Sequence, residues 1–517
     1  MNAPRASAFA AYGQESSPGS LRFWGTRTAE LFSREVSESF SGVLERNYYS
    51  RFEGDHAGFV SASIDDRPWT GAMWTRDTGV FLRELVQWGY LEHACLTTKC
   101  LIRLVRENSE GFFTFPEYFQ VGQPGSGGEL DGTNAILIGM VLLWRRLPSN
   151  HPVRETIQAF LCGPKSPVAY MEHALRKAPL LPGSGEFGGG CGIPGQHYNI
   201  VQNYLGVYAL TAVAHVHRES GDAPSAERVL SLANAIEQGV EKHLVAPDGS
   251  WHWCVDIATM QPDPAIVDHP INKGFGGLNG VAAMSSDVLG FLPDAKTARW
   301  LRPSLQTFDK LARTPLRKDL FEKHGIWTQF DEPPLHRMMS PSYGHGYALQ
   351  TMLLFDRMDW AERALNYLAE ATFQPPRGYK LDRDNPYHFY ERYVAPETPS
   401  LETFDQGCGA LNLVCVVEPI KVARLVAGCD DTRPSCLRFV PRVPASWRGY
   451  EMKRWPVHTA AGVSQIDVFY ERDPDGERFR VDLVEGPRIP KMEIFLGGPS
   501  EKRRAAITDV IAADLRL

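Results

Sequence analysis

The sequence predicts a mostly α protein: two concentric rings of helices, an (α/α)6 barrel, followed by a small C-terminal antiparallel β domain. Two observations carry that expectation. Between residues 28 and 430, helical segments that are apolar on nearly every face alternate with segments that are apolar on one face only. About twelve such segments occur, as six helical hairpins in two rings require. After Asp430 the texture changes to short runs of strand character separated by Pro, Gly and Asp. The expected organisation is an irregular tail over 1–27, a barrel over 28–430, and a β module with a terminal helix over 431–517.

The elements follow in order. Met1–Leu21 has a small-residue bias but no basic stretch leading into an apolar core, so it reads as a tail and not a secretion signal. A cytoplasmic location is therefore expected. Arg27–Arg46 carries Leu31, Phe32, Val36, Phe40, Val43 and Leu44 at helical spacing. The stretch Ser63–Tyr90 opens as a loop with Asp65, Asp66, Arg67, Trp69, Trp74, Arg76 and Asp77, punctuated by Pro68 and Gly71. It then turns helical, with Phe81, Leu82, Leu85 and Val86 on one face and Arg83, Glu84 and Gln87 opposite. Leu91–Arg106 is a second amphipathic helix, and Gly111–Phe119 an aromatic loop suited to a cleft wall or to simple packing.

Gly125–Leu147 leads through Glu129 and Asp131 into a helix apolar on all sides from Ala135 to Trp144, as an inner-ring helix should be. Asp131 suits a helix N-cap as well as a sugar contact. Pro182–Gly195 is rich in glycine but lacks the phosphate-loop pattern and lies between helices; its one carboxylate is Glu186. Helices are expected over Tyr198–Glu219, Ser225–His243, Leu278–Leu289, Thr297–Leu311, Tyr343–Phe355, Asp359–Thr372 and Gly409–Val426, with a short strand over Trp251–Asp256. A long polar excursion from Gln374 carries Glu397, Glu402 and Asp405 into the last of these helices. Strands are expected over Leu437–Pro444, Glu451–Val457, Ser464–Glu471, Arg478–Val484 and Lys491–Leu496, and a helix over Ala505–Leu517.

Composition narrows the chemistry. A net charge of -7 gives no basic footprint for nucleic acid or anionic membrane. No stretch of about 18 apolar residues exists to span a bilayer. The nine cysteines show no CxxC pattern and read as reduced, mostly buried thiols. Histidines lack helical zinc spacing, and there is no GxSxG elbow. No metal and no organic cofactor is expected. Indoles, arginines and acids gathered on loops suit carbohydrate, since aromatic faces stack on a pyranose and Arg and Asp bind its hydroxyls.

The segment MWTRDTGVFLREL resembles the WTRDS-type motif of glucoamylases, and DRPWTG is similar to the WTGD motif of inverting α-L-rhamnosidases. Both families are (α/α)6 barrels of the six-hairpin glycosidase group, and rhamnosidases carry a β module after the barrel. The resemblance implies that Arg76 and Asp77 grip a terminal sugar while Trp69 and Trp74 stack on it. Asp131-Gly132 looks like the glucoamylase Asp-Gly pair ahead of an inner helix. Glu186 stands where glucoamylases place the general acid, although Gly-Glu-Phe replaces their Trp-Glu-Glu. Glu402-Thr403-Phe404-Asp405 is similar to their EQFD-type segment and makes Glu402 the catalytic base. Glu397 rivals it as base and otherwise contacts substrate. Asp66 and Glu129 rival Glu186 as acid, and a rhamnosidase-like reading places the acid in the Asp65-Asp66 segment. The implied activity is inverting, exo-acting hydrolysis of a glycoside or oligosaccharide. The alternative is an epimerase-like or phosphorolytic barrel. The sugar, anomer, linkage and oligomeric state stay open.

Overall fold

In the computed structural model the described residues are 18–48, 56–64, 71–183, 197–262, 277–291, 295–328, 338–373, 389–394, 410–496 and 503–516. The chain enters through a strand, β1 (Ser20–Trp24), and a long outer helix, α1 (Arg27–Arg46). Thr26 starts α1 by accepting a hydrogen bond from the Ala29 amide at 3.2 Å. Helices then alternate between an inner and an outer ring. The inner helices are α2 (Thr75–Trp88), α4 (Leu130–Arg146), α7 (Ile200–Glu219), α9 (Gly277–Leu289), α12 (His345–Leu354) and α14 (Leu413–Ala427). Each touches the next, and α14 touches α2, so the ring closes. The outer layer comprises α1, α3 (Leu91–Leu104), α5 (Pro152–Cys162), α6 (Pro167–Leu175), α8 (Ala223–His243), α10 (Ala295–Leu311), α11 (Pro315–His324) and α13 (Met358–Phe373).

Inner helices are covered by the outer ring on one side and by one another on the other. Every residue of α2, α12 and α14 is accordingly buried. Glycines let α2 and α4 approach closely: a Cβ on Gly79 would fall 2.6 Å from the Ala135 backbone, and one on Gly132 would fall 2.2 Å from Thr75 Oγ1.

The polar face of α2 is not a solvent face. Arg83, Glu84 and Gln87 are all buried. Arg83 meets Glu84 at 2.9 Å, Asp287 of α9 at 3.2 Å and Glu418 of α14 at 3.5 Å. Asp287 also accepts from Lys421 at 2.6 Å and from Arg424 at 2.8 Å, and Arg424 returns to Glu84 at 2.8 Å. Gln350 of α12 donates to Glu418 at 2.6 Å. Three cations thus face three carboxylates inside the ring. Burial alone would raise the Asp287 carboxyl, but Arg83, Lys421 and Arg424 outweigh it and hold it well below the usual range. Burial lowers the Lys421 ammonium to about 8, with the Arg83 charge adding to that shift.

A five-stranded antiparallel sheet follows the barrel, in the order β1, β10 (Gly449–Thr459), β11 (Gly462–Asp473), β12 (Gly476–Glu485), β15 (Ala512–Arg516). A second sheet runs β14 (Arg503–Val510), β13 (Ile489–Leu496), β9 (Leu437–Phe439), β8 (Cys429–Asp430). Aromatic rings join sheet to barrel: Trp455 of β10 packs edge-on against Trp88 of α2 at 4.8 Å. Tyr450 donates its hydroxyl to the Ala427 carbonyl at 2.7 Å.

Two expectations are corrected at the termini. The tail expected to be irregular contributes β1, which pairs with β10 from Ser20↔Lys453 to Trp24↔Gly449. Leu21 and Phe23 are buried and Ser20 and Arg22 exposed, the alternation a sheet edge needs. The helix expected over Ala505–Leu517 is replaced by β14 and β15. β15 completes the edge of β12, and Arg478 grips Asp514 through bonds of 3.1 and 2.7 Å. Tertiary pairing overrides local helix preference here.

Removing one carboxylate from the internal network leaves uncompensated buried cations. Asp287→Asn should lower unfolding free energy by about 3–5 kcal/mol. Removing the exposed Glu241 partner of Arg299 should cost about 1 kcal/mol or less. Urea titration of both variants checks the contrast; equal, small effects would count against a structural role for the network.

Candidate active site

Three short antiparallel ladders mark one end of the barrel. β2 (Ala72–Trp74) pairs with β3 (Tyr118–Gln120) ahead of α2 and α4. β4 (His197–Asn199) pairs with β5 (Cys254–Asp256) ahead of α7 and α9. β6 (Met338–Met339) pairs with β7 (Tyr393–Val394) ahead of α12 and α14. Each ladder joins the segments leading into two neighbouring inner helices, so the N-termini of the inner ring gather at this end. Their free amides and positive dipole ends favour carboxylates and oxygen-rich ligands there.

Arg76, in the first turn of α2, organises the mouth. It donates to Asp131 Oδ2 at 3.1 Å and to the Tyr343 hydroxyl at 2.9 Å. Its guanidinium also lies over the Tyr343 ring, 5.3 Å from the centroid. One cation therefore ties the starts of α2 and α4 to the segment entering α12. Asp77 beside it is buried, and its charge reaches Tyr347 of α12 and Cys415 of α14.

Glu129 is the residue immediately before α4 and makes no side-chain cap. It is 5% exposed, and its Oε2 has no hydrogen-bond partner among the described residues. Burial pushes its carboxyl well above the ordinary range, and the Asp131 charge and a hydrogen bond between the two carboxyls push the same way. Arg76 opposes the shift, and Glu117 adds to it. Burial and the acidic neighbour thus favour the neutral form of Glu129, beside an arginine and at the open end of the ring. A buried carboxyl whose surroundings favour its neutral form is the raw material of general acid catalysis.

Other groups are less suited to chemistry. Burial pushes the Cys415 thiol far up, and it bonds Ser342 Oγ at 3.2 Å, which makes it a packed thiol and not a nucleophile. Burial lowers His345 to about 4; its ring spans the Trp327 amide and the Ala364 carbonyl, at 3.1 and 2.9 Å. Among the described residues no group of three or more His, Cys, Asp or Glu is arranged to hold a metal ion. No described helix is long and apolar enough to cross a membrane.

Of the residues singled out in the sequence, Arg76, Asp77 and Asp131 come together at the mouth. Trp74 sits on its rim, with its ring against Tyr118 at 5.2 Å. Trp69, Glu186, Glu397 and Glu402, with Asp65 and Asp66, lie outside the described residues. Asp131 is in the first turn of α4, not at its N-cap. Tyr343 was not legible as a site residue, because a tyrosine opening an inner helix reads as core. Tyr118 carried a signal only as part of the aromatic stretch Gly111–Phe119.

Solved structures share this architecture. The Streptomyces avermitilis α-L-rhamnosidase complexed with L-rhamnose matches with a TM-score of 0.55 at 13% identity, over 93% of this chain and 38% of that one. The α-L-rhamnosidase from Dictyoglumus thermophilum matches with a TM-score of 0.56 at 10% identity, over 96% and 50%. A GH78 family rhamnosidase of Bacillus sp. GL1 matches with a TM-score of 0.53 at 13% identity, over 93% and 42%. The chain thus spans half the length of these proteins or less, and the likeness is one of fold. No protein-family model matches the sequence, and no curated protein does.

The raised Glu129 carboxyl has a pH signature. The folded state keeps the proton that the unfolded chain releases near the ordinary Glu value of 4.5, so stability falls as pH rises through the window opening there. Glu129→Gln lacks this cost. Its stability should gain on the wild type by at most about 1.4 kcal/mol per pH unit until the folded carboxyl ionises. Urea unfolding at about pH 4, 6 and 8 measures it; a pH-independent difference would show that Glu129 is ionised in the folded protein.

Proposed function

We propose that the protein is a glycoside hydrolase that removes a non-reducing terminal sugar with inversion, using two carboxyl groups and a water. The observation that carries the reading is the buried Glu129, its carboxyl raised by burial and by Asp131, beside the Arg76–Asp131 ion pair at the open end of a six-helix ring. Arg76, Asp77 and Asp131 offer one cation and two acids to the hydroxyls of a sugar seated there, as does Glu397 from the loop ahead of α14. The sequence resemblance assigns Trp69 to stack on that sugar's apolar face.

Hydrolysis then needs a proton for the leaving oxygen and a base for water on the opposite face. The base is Glu402, ahead of the last inner helix. The proton comes from Glu186 on the sequence resemblance, while burial and the pairing with Asp131 favour Glu129. Donor and base supplied from segments ahead of different inner helices suit a separation of roughly 6.5–9.5 Å, which admits a water and makes inversion the outcome.

A panel of p-nitrophenyl glycosides tests the reading, opened with the α-L-rhamnopyranoside because the structural neighbours are rhamnosidases. Glu402→Gln should lower kcat by about 10²–10⁴-fold on every substrate turned over. Of Glu129→Gln and Glu186→Gln, the true donor's variant should lose activity on alkyl glycosides yet largely keep it on a dinitrophenyl glycoside, whose leaving group needs no proton. NMR of the first-formed anomer should show inversion. Absence of turnover across the panel, or release of the substrate's own anomer, would overturn the proposal.

A further inference from the structure

We infer that Trp74 and Tyr118 form a binding platform for the leaving group of a glycoside, a flat ring with an apolar face. The inference rests on the reading of the mouth as a glycoside site and adds a second, outward subsite to it. β2 and β3 place Trp74 directly opposite Tyr118, and the two rings lie 5.2 Å apart at 36°. In β3 exposure alternates: Tyr118 points out while Phe119 points in, edge-on to Phe115 at 6.3 Å. The fold therefore needs an apolar residue at 119 and none at 118. Tyr118 is nevertheless aromatic and 38% exposed. Among the described residues the other large exposed apolar side chains are Val484 and Ile511, both in the C-terminal β region. Tyr118 is the one at the mouth.

The platform is held rigidly to the sugar-gripping turn. Thr75 donates its amide to the Glu117 carbonyl at 3.0 Å and its hydroxyl to the Pro116 carbonyl at 2.7 Å. Trp74 immediately precedes that turn, and Arg76 and Asp77 lie within it. The Glu129 amide donates to the Phe115 carbonyl at 3.3 Å, so the segment carrying Tyr118 also borders the carboxyl pair. Rigid aromatic side chains give large contact area at little cost in conformational entropy, and their faces suit the C–H face of a pyranose or an aryl aglycone. Depth separates the two subsites. Arg76 and Asp131 are 3% and 0% exposed, whereas Tyr118 stands open to solvent. A sugar held by the first pair directs its leaving group outward, across the second. This replaces the expectation that Trp74 stacks on the terminal sugar itself.

The test uses aryl S-glycosides, which resist hydrolysis, of α-L-rhamnose, α-D-mannose and α- and β-D-glucose, each paired with its free monosaccharide, and calorimetric affinities for wild type, Tyr118→Ala and Tyr118→Phe, with turnover followed on the matching O-aryl glycosides. At least one aryl glycoside should bind more tightly than its free sugar. Tyr118→Ala should weaken that glycoside by about 3–10-fold while changing the free sugar far less, and Tyr118→Phe should restore it. Equal losses for glycoside and free sugar, no loss for either, or no binding by any probe would overturn the platform. Turnover measured in parallel separates the two ideas. Tyr118-dependent binding without hydrolysis sinks the hydrolase reading alone, and hydrolysis insensitive to Tyr118→Ala sinks the platform alone.

Discussion

Inside the ring, below the mouth, Arg83, Lys421 and Arg424 are locked against Glu84, Asp287 and Glu418, all six side chains buried. These groups come from α2, α9 and α14, and Gln350 brings in α12. A buried ion pair is a poor source of net stability, because desolvation consumes most of the Coulombic gain. It is a strong source of specificity, because any sliding of one helix leaves a charge unpaired in a low-dielectric interior. The apolar faces of the inner helices would tolerate several registers; the charges tolerate one. The first turns of those helices inherit that register, and the mouth is built from them.

The chemistry at the mouth follows from that alignment. Arg76 can reach both Asp131 and Tyr343 only if α2, α4 and the entry to α12 end at the same level. With Arg76 committed to Asp131, the neighbouring Glu129 meets an anion it cannot neutralise by charge, and burial makes its own ionisation costly. The neutral form is favoured. Glycine plays a quiet part in this geometry, since Gly132 admits Thr75 against the start of α4 where any side chain would collide. Thr75 in turn holds the Pro116–Glu117 backbone, which fixes the rim beside the carboxyl pair.

The C-terminal sheets make a different kind of contact with the barrel. Trp455 meets Trp88 ring to ring and Tyr450 hydrogen-bonds the last turn of α14, both near the sequence ends of the inner helices and away from their first turns. β1, contributed from ahead of α1, forms the edge of the larger sheet and so ties the start of the barrel to the segment that follows it. That arrangement covers the barrel without intruding on the mouth.

What the sequence determined by itself was set by periodicity and by local chemistry. Helices apolar on every side could only be inner helices, and the run from Trp74 to Asp77 ahead of one of them could only lie at its N-terminal end. Arg76, Asp77 and Asp131 were singled out by the resemblance of their segments to the WTRDS-type motif and the Asp-Gly pair of glucoamylases. Tertiary structure decided the rest. The face of α2 bearing Arg83, Glu84 and Gln87 reads from periodicity as the wet one, yet Asp287, Glu418 and Arg424, far along the chain, pair with Arg83 and Glu84 and turn it inward. Glu129 looks like any loop acid until Asp131, Arg76 and the surrounding burial are placed around it. The last residues carry a helical pattern and become strands, because β12 offers an unpaired edge that no local window can see. In each case the deciding free energy comes from groups distant in the chain: a partner charge, a desolvated neighbour, or a free row of backbone hydrogen-bonding groups.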